Sequence, residues 1–273
     1  MDYLAFMEAE LDRASQVALQ YFGHVAAYAK PEDSNQVVTE ADIAIGEQLA
    51  EAISARFPEH NIIEEEAGVL DRHSRYTWVV DPIDGTSNFA AGLPDYGIMM
   101  GFLDGASALA GGVAVPARGR LYLAQRGMGA TCNGKPIHAT AESDPLETLV
   151  SYGIDSHRGA PEVTRQECAV LADLVLAVRN VRNSGSEAID SMYVAEGRYG
   201  ARISLSSKIW DNVAPQVICE EAGALWTAAD GSPTEYASPV TRAGHNFTIC
   251  TAPPDLHARV QRLIAGRLGA CDR

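Results

Sequence analysis

The sequence predicts a mixed fold, α/β or α+β, on three observations. Residues 4–57 carry apolar side chains at helical spacing, residues 96–124 carry strand-like apolar runs, and the second half alternates strand and helix patterns. In order, Leu4, Met7, Leu11, Ala14, Ala18 and Tyr21 form one helical stripe, with Gly23 placed to end it. A loop runs through Lys30-Pro31-Glu32-Asp33-Ser34-Asn35, and a second helix starts at Thr39 with Ile45, Leu49, Ile53 and Phe57 as its stripe and Pro58 as its stop. Ile62 and Ile63 read as a short buried strand, and Trp78 to Val80 as another that ends where Pro82 breaks it. Tyr96 to Phe102, Leu109 to Val115 and Leu121 to Ala124 follow as strands, with Cys132-Asn133-Gly134-Lys135 as a hairpin turn, since Asn-Gly tolerates positive φ. Beyond the polar stretch Thr140 to Asp144, strands are expected at Leu149 to Tyr152, Val178 to Val181 and Phe247 to Thr251. Helices are expected at Pro161 to Ala177, Ser186 to Glu196, Asn212 to Ala222 and Leu256 to Leu268. That polar stretch is the strongest candidate boundary, giving two closely joined halves, 1–140 and 141–273, in a chain with no repeat and no long linker.

Composition bounds the partners. The net charge is −15, from 36 acids against 21 bases, which argues against sequence-blind binding to nucleic acid and against docking on anionic membranes. It does not oppose an anionic small substrate, because bound metals reverse the sign locally. The start Met1-Asp2-Tyr3-Leu4 has neither the basic residues nor the apolar core of a signal peptide, and no apolar run reaches membrane-spanning length. The five cysteines, at 132, 168, 219, 250 and 271, form no CxxC pair and read as free thiols of a cytoplasmic protein. Seven histidines show no zinc-ligand spacing.

The chemistry concentrates in Trp78-Val-Val-Asp81-Pro-Ile83-Asp84-Gly85-Thr86-Ser87-Asn-Phe89. Two carboxylates three residues apart at the end of a buried strand call for a neutralising cation, and hard oxygen donors suit magnesium or calcium. The amides of Gly85, Thr86 and Ser87 are placed to bind an anion where a helix starts. A metal and an anion at one turn point to phosphate chemistry. On composition alone Asp-Pro with Asp-Gly is also an ordinary turn. The other acidic features have equally plain readings: Glu64-Glu65-Glu66 as a solvated run, Asp211 and Ser186 as helix N-caps, and Thr39 with Asp42 as near a capping box.

The twelve-residue string resembles the main signature of the inositol monophosphatase family, the magnesium-dependent, lithium-sensitive sugar phosphatases. The similarity runs from about Thr39 to Gly223, through Val38-Thr39-x-x-Asp42, the pair Glu65-Glu66, Trp210-Asp211 and the helix ending Glu221-Ala222-Gly223. The resemblance implies a layered αβαβα sandwich of the inositol monophosphatase and fructose-1,6-bisphosphatase type, assembled as a homodimer, with two to three Mg2+ per site. It implies that Glu65, Asp81 and the Ile83 carbonyl hold one metal, and that Asp81 bridges to a second held by Asp84 and Asp211. Thr86 would orient the attacking water, with Glu65 or an Asp42–Thr86 pair as proton acceptor. Asp42 would lie near a third, weaker metal site reached through water. Asp84, Gly85, Thr86 and Ser87 would hold the phosphate group, while Arg182, Gly185, Ser186, Glu187, Ser204 and Asp211 meet the rest of the substrate. It also implies inhibition by lithium.

Three positions depart from the family pattern. Glu64 stands where the family often has Gly, and Glu187 where it often has Ala. Ser204 stands where inositol-preferring members carry a Glu that binds ring hydroxyls. The expected reaction is hydrolysis of a small phosphate monoester, with inositol 1-phosphate or a related cyclitol or sugar phosphate first. Fructose 1,6-bisphosphate, histidinol phosphate and 3′-phosphoadenosine phosphate are the alternatives, and Ser204, Glu187 and Arg182 the residues expected to decide. A catalytically silent metal-binding or regulatory protein is the reading from another class.

Overall fold

A computed structural model describes residues 2–29, 37–154 and 157–268. The loop through Lys30 to Asn35, and Cys271, lie outside them. In chain order the elements are α1 (Tyr3–Tyr21), β1 (Ala27–Ala29), β2 (Val37–Thr39), α2 (Glu40–Arg56), β3 (Asn61–Glu64), β4 (Gly68–Leu70), β5 (Tyr76–Asp84), α3 (Thr86–Ala90), β6 (Gly97–Asp104), β7 (Ser107–Val115), β8 (Arg120–Gln125), β9 (Ala130–Cys132) and β10 (Lys135–Pro136). There follow β11 (Leu149–Gly153), α4 (Pro161–Ala177), β12 (Asn180–Arg182), α5 (Glu187–Ala195), β13 (Ala201–Ser207), α6 (Ile209–Glu221), β14 (Leu225–Thr227), β15 (Phe247–Ala252) and α7 (Pro254–Leu268).

Strands β3 to β10 form one sheet in the order β10-β9-β8-β7-β6-β5-β3-β4, antiparallel except for β3 with β5. The later strands form a second sheet in the order β12-β11-β13-β15-β14. Helices α1 and α2 cover one face of the first sheet and α6 covers the other, packed with α5, which also touches the second sheet. Helices α4 and α7 pair against the second sheet. The five layers are therefore αβαβα, as the resemblance implied.

The two-residue period of β5 explains how one strand serves two cores. Trp78 and Val80 face α1 and α2, while Val79 faces α5 and α6. Helix α6 reaches the sheet closely because β6 and β7 present glycines to it. A Cβ on Gly101 would lie 2.6 Å from Val213 Cγ1, and one on Gly111 would lie 2.4 Å from the Ala214 carbonyl oxygen.

Three expectations are corrected. Pro82 does not end its strand: β5 runs on to Asp84, and the pairing with β6 slips between Asp81↔Met99 and Asp84↔Gly97. A missing amide is tolerated at such an irregularity. Helix α6 begins at Ile209, so Asp211 sits in its first turn rather than at the N-cap, which is Lys208. The polar-rich strand β13 had no counterpart among the expected elements. The hairpin turn is as expected, with Asn133 and Gly134 at φ 50° and 72°. Among the described residues, Cys132, Cys168, Cys219 and Cys250 are free, and no helix is long and apolar enough to cross a membrane.

Candidate metal centre

The end of β5, the first turn of α6 and the N-terminus of α5 meet at one point. There, Asp81, Asp84 and Asp211 each offer a carboxylate oxygen, and the three atoms lie within 4.8 Å of one another. Each acid is held differently. Asp84 is gripped from across the fold: Ser186 Oγ donates to Oδ2, the Ala188 amide donates to Oδ2 at 2.9 Å, and the Glu187 amide donates to Oδ1 at 3.0 Å. A carboxylate at a helix N-terminus gains from the free amides and the helix dipole. Asp211 Oδ2 accepts from the Lys208 amide at 2.5 Å, the contact that an acid in the third position of a helix makes back to its cap. Asp81 is 1% exposed and its Oδ1 meets no hydrogen-bond donor.

Crowding of unneutralised acids shows in their protonation. Burial lifts Asp81 well above the carboxylate range, and the charges of Glu65, Asp84 and Asp211 add to it. Burial raises Asp84 to about 6 against the Ser186 and Ala188 hydrogen bonds that lower it. It raises Asp211 to about 8, with Asp84 and Glu65 contributing. Glu65, at the exit of β3, is not one of the three converging acids, yet its charge acts on both Asp81 and Asp211. Converging hard oxygen donors, from acids of which Asp81 carries a buried oxygen without a donor, fit a divalent cation such as magnesium.

Beside the acids, Thr86 Oγ1 lies 3.1 Å from Asp42 Oδ1 and 2.9 Å from the Ile83 carbonyl oxygen. Asp42 closes a true capping box, its Oδ2 accepting from the Thr39 amide at 2.9 Å and the Thr39 hydroxyl at 2.5 Å. Burial raises Asp42 to about 6. Gly85 takes the left-handed conformation at φ 82°, and the helix it starts has no side-chain cap, which leaves its first amides open. A Cβ there would come within 2.9 Å of the Asp95 carbonyl oxygen. Ser87 is exposed.

A cleft of 210 Å³ opens beside the acids, lined by Asp84, Gly85, Gly185, Ser186, Glu187 and Asp190 among others. Ser186 is the N-cap of α5, as expected, its Oγ accepting from the Ile189 amide. Ser204 is 1% exposed and sits behind Glu187, its Oγ 3.3 Å from Glu187 Oε1. Arg182 does not line this cleft: it is exposed and donates to the Val181 carbonyl at 2.9 Å. Glu64 departs from a solvated run, being 2% exposed, with its Oε2 accepting from the Ala67 amide and burial raising it to about 7.

Sequence reasoning missed three residues here. Asn88 Nδ2 donates to the Asp95 and Ser184 carbonyls at 2.7 and 2.8 Å, tying the signature turn to the loop before α5. Asn88 lay within the signature string, where an Asn at a turn was a usable signal. Asp190, 4% exposed, accepts from the Ser151 hydroxyl and lines the cleft. Arg202, on the unforeseen β13, is 1% exposed and paired with Glu187. Neither gave a local sign.

Comparisons with known proteins agree with this geometry. The model of the inositol monophosphatase family matches residues 2–265. The probable inositol 1-monophosphatase ImpA of Mycobacterium tuberculosis is 34% identical over 96% of this chain and 93% of its own length. The Nus factor SuhB of Pasteurella multocida is 33% identical over 70% and 72%. A solved structure described as Thermotoga maritima IMPase superposes with a TM-score of 0.85 at 25% identity, covering 98% of this chain and 99% of that one. With the family match spanning nearly the whole chain, and the layers and acidic cluster in place, this protein belongs to the inositol monophosphatase family.

Proposed function

We propose that the protein is a magnesium-dependent phosphatase of a small phosphate monoester, with inositol 1-phosphate or a related cyclitol or sugar phosphate as the best-fitting substrate. The observation that carries this reading is the convergence of the Asp81, Asp84 and Asp211 carboxylates within 4.8 Å, beside a Thr86–Asp42 hydrogen bond. Asp81, Asp84, Asp211, Glu65 and the Ile83 carbonyl are the groups that would hold two to three magnesium ions. Magnesium at such a site supplies a Lewis acid that activates water and stabilises the leaving ester oxygen.

The chain's own residues do the rest. Thr86, fixed between Asp42 and the Ile83 carbonyl, orients the attacking water. Asp42, raised to about 6, accepts a proton near neutral pH, where a base of matched pKa works best, and Glu65 is the second acceptor. The open amides at Gly85, Thr86 and Ser87 bind the phosphate oxygens. Gly185, Ser186 and Glu187 line the cleft for the organic part, Ser204 would act only through Glu187 from behind it, and Arg182 would act only from the rim. Assembly as a homodimer belongs to the same reading.

Phosphate release from a panel of cyclitol, sugar and nucleotide phosphates, with and without magnesium, tests the proposal. Magnesium-dependent release is expected, with a loss of at least about 100-fold in Asp81→Asn and Asp211→Asn. Full activity in either variant removes its assigned role. The likeness to a Nus factor favours a second reading, a regulatory protein on this scaffold. Metal-loaded wild-type protein that releases no phosphate from any member of the panel would decide for it.

A further inference from the structure

We propose that Arg202 is a positioning residue for substrate recognition, fixing the Glu187 carboxylate as a hydroxyl-reading wall of the cleft and biasing it towards polyol monophosphates over bisphosphates. The proposal rests on reading this cleft as the site of phosphate-ester hydrolysis. Arg202 projects from β13 into the interior, 1% exposed, with its guanidinium carbon 5.5 Å from the Trp226 ring centroid. Burial draws it down to about 10. A buried guanidinium is tolerated only when paired, and its ion-pair partner is Glu187, in the first turn of α5.

Three neighbours confine the Glu187 carboxylate. Besides Arg202, the Ser204 hydroxyl lies 3.3 Å from its Oε1. Opposite, a Cβ on Gly153 would lie 2.9 Å from that same Oε1 and 3.4 Å from Ser204 Oγ, so the carboxylate occupies space that only glycine leaves free. Its own amide donates to Asp84 Oδ1 at 3.0 Å, which links the wall to the acidic cluster. Its side chain remains 22% exposed and lines the cleft, while its Oε2 is buried.

The electrostatics set the ligand class. The cleft wall carries Asp84, Glu187 and Asp190, and one buried cation stands behind it. Such a wall accepts hydrogen bonds from neutral hydroxyls and repels a second phosphate group. Without Arg202, Glu187 would be left beside two other acids and swing towards solvent.

The test compares kcat/KM for a cyclitol monophosphate, for p-nitrophenyl phosphate, which has no hydroxyl groups, and for fructose 1,6-bisphosphate. In Arg202→Met the preference for the cyclitol ester over p-nitrophenyl phosphate should fall about tenfold, mainly through KM, as for loss of a hydrogen bond to a charged group. Glu187→Gln should produce the same fall and move the preference towards the bisphosphate. The double variant should fall no further than either single one, and Arg202→Lys should recover part of the loss. Equal losses on both monoesters would mark Arg202 as merely structural and overturn the proposal, as would independent, multiplying losses in the double variant. If Arg202→Met fails to fold, Arg202→Gln carries the test by removing the charge from the ion pair while keeping a polar side chain at this buried position. The same fall in preference is expected from it, and an unchanged preference refutes the proposal. Wild-type protein that releases no phosphate from any of the three sinks the phosphatase reading and this proposal together. Release with an unaltered preference in the variants sinks this proposal alone.

Discussion

Replacing Asp211 with Asn is expected to stabilise the metal-free protein, and increasingly so as the pH rises. In the folded chain Asp211 is raised by burial, with Asp84 and Glu65 adding to it, from 3.8 to about 8. Between these values the folded state keeps a proton that the unfolded state has released. Stability therefore declines as pH rises through this window, and the full contribution is present only below it. At pH 7 the gap of about three units, at 1.36 kcal/mol each, gives an upper bound of about 4 kcal/mol. Asp211 is partly exposed, and solvent screening brings the expected gain for Asn to about 2 kcal/mol, or about 4 °C in Tm for a chain of this length. Asn preserves the geometry, since its oxygen still accepts from the Lys208 amide, as Asp211 Oδ2 does at 2.5 Å. The assay is thermal unfolding of chelator-treated wild type and variant from pH 4.5 to 8.5, repeated with excess magnesium. The curves should nearly coincide at the acid end and separate by about 4 °C at pH 7, and magnesium should raise the wild type more than the variant. A variant less stable than wild type at pH 7, or a gap that does not change with pH, would refute the reasoning.

Asp84→Asn should gain less metal-free stability than Asp211→Asn, because Asp84 is raised only to about 6 and one amide oxygen cannot replace two carboxylate oxygens that take three donors. Chemical denaturation at pH 7 measures it. Gly111→Ala should cost at least about 2 kcal/mol, since the new Cβ meets the Ala214 carbonyl oxygen at 2.4 Å and helix backbone cannot step aside. Magnesium titration by calorimetry should show weaker binding in the same variant, because α6 carries Asp211. Thr86→Val should lower kcat about 100-fold with a small change in KM, whereas Thr86→Ser should keep most of the activity. Steady-state kinetics on the best panel substrate decides this.

What could be read in the sequence was local. The helices at α1, α2, α4 and α7 announce themselves by period and caps, and the signature string holds Asp81, Asp84 and Thr86 within six residues of one turn. Strand β13 escaped notice because six of its seven residues are buried whatever face they take. A strand covered on both sides, with Arg202, Ser204 and Ser207 along it, shows neither alternation nor a continuous apolar run. The slip that carries β5 through Pro82 was hidden for a related reason: proline's propensity is local, but the partner strand β6 decides whether pairing resumes. The grip of α5 on Asp84 joins residues 102 to 104 positions apart, and only folding brings them together.

The way each acid is held explains why the centre exists before any metal arrives. Asp84 is fixed by three donors at the start of α5, Asp211 by the amide of Lys208, and Asp42 by Thr39. A carboxylate has about four lone-pair positions, so each of these remains able to take a further partner. Asp81 is the exception, buried with an oxygen that no donor reaches. Its environment is the least favourable of the four for a charge, and the acids around it worsen it. Strain of this kind persists where function requires it and the surroundings over-determine it. The tight packing of α6 on Gly101 and Gly111 supplies that constraint: it sets Asp211 against Asp81 and prevents the mutual repulsion from relaxing by moving the helix. Divalent-cation binding should therefore be worth most to the wild-type protein at the pH where all three acids are asked to ionise. The same packing that makes the metal-free centre unfavourable makes it ready.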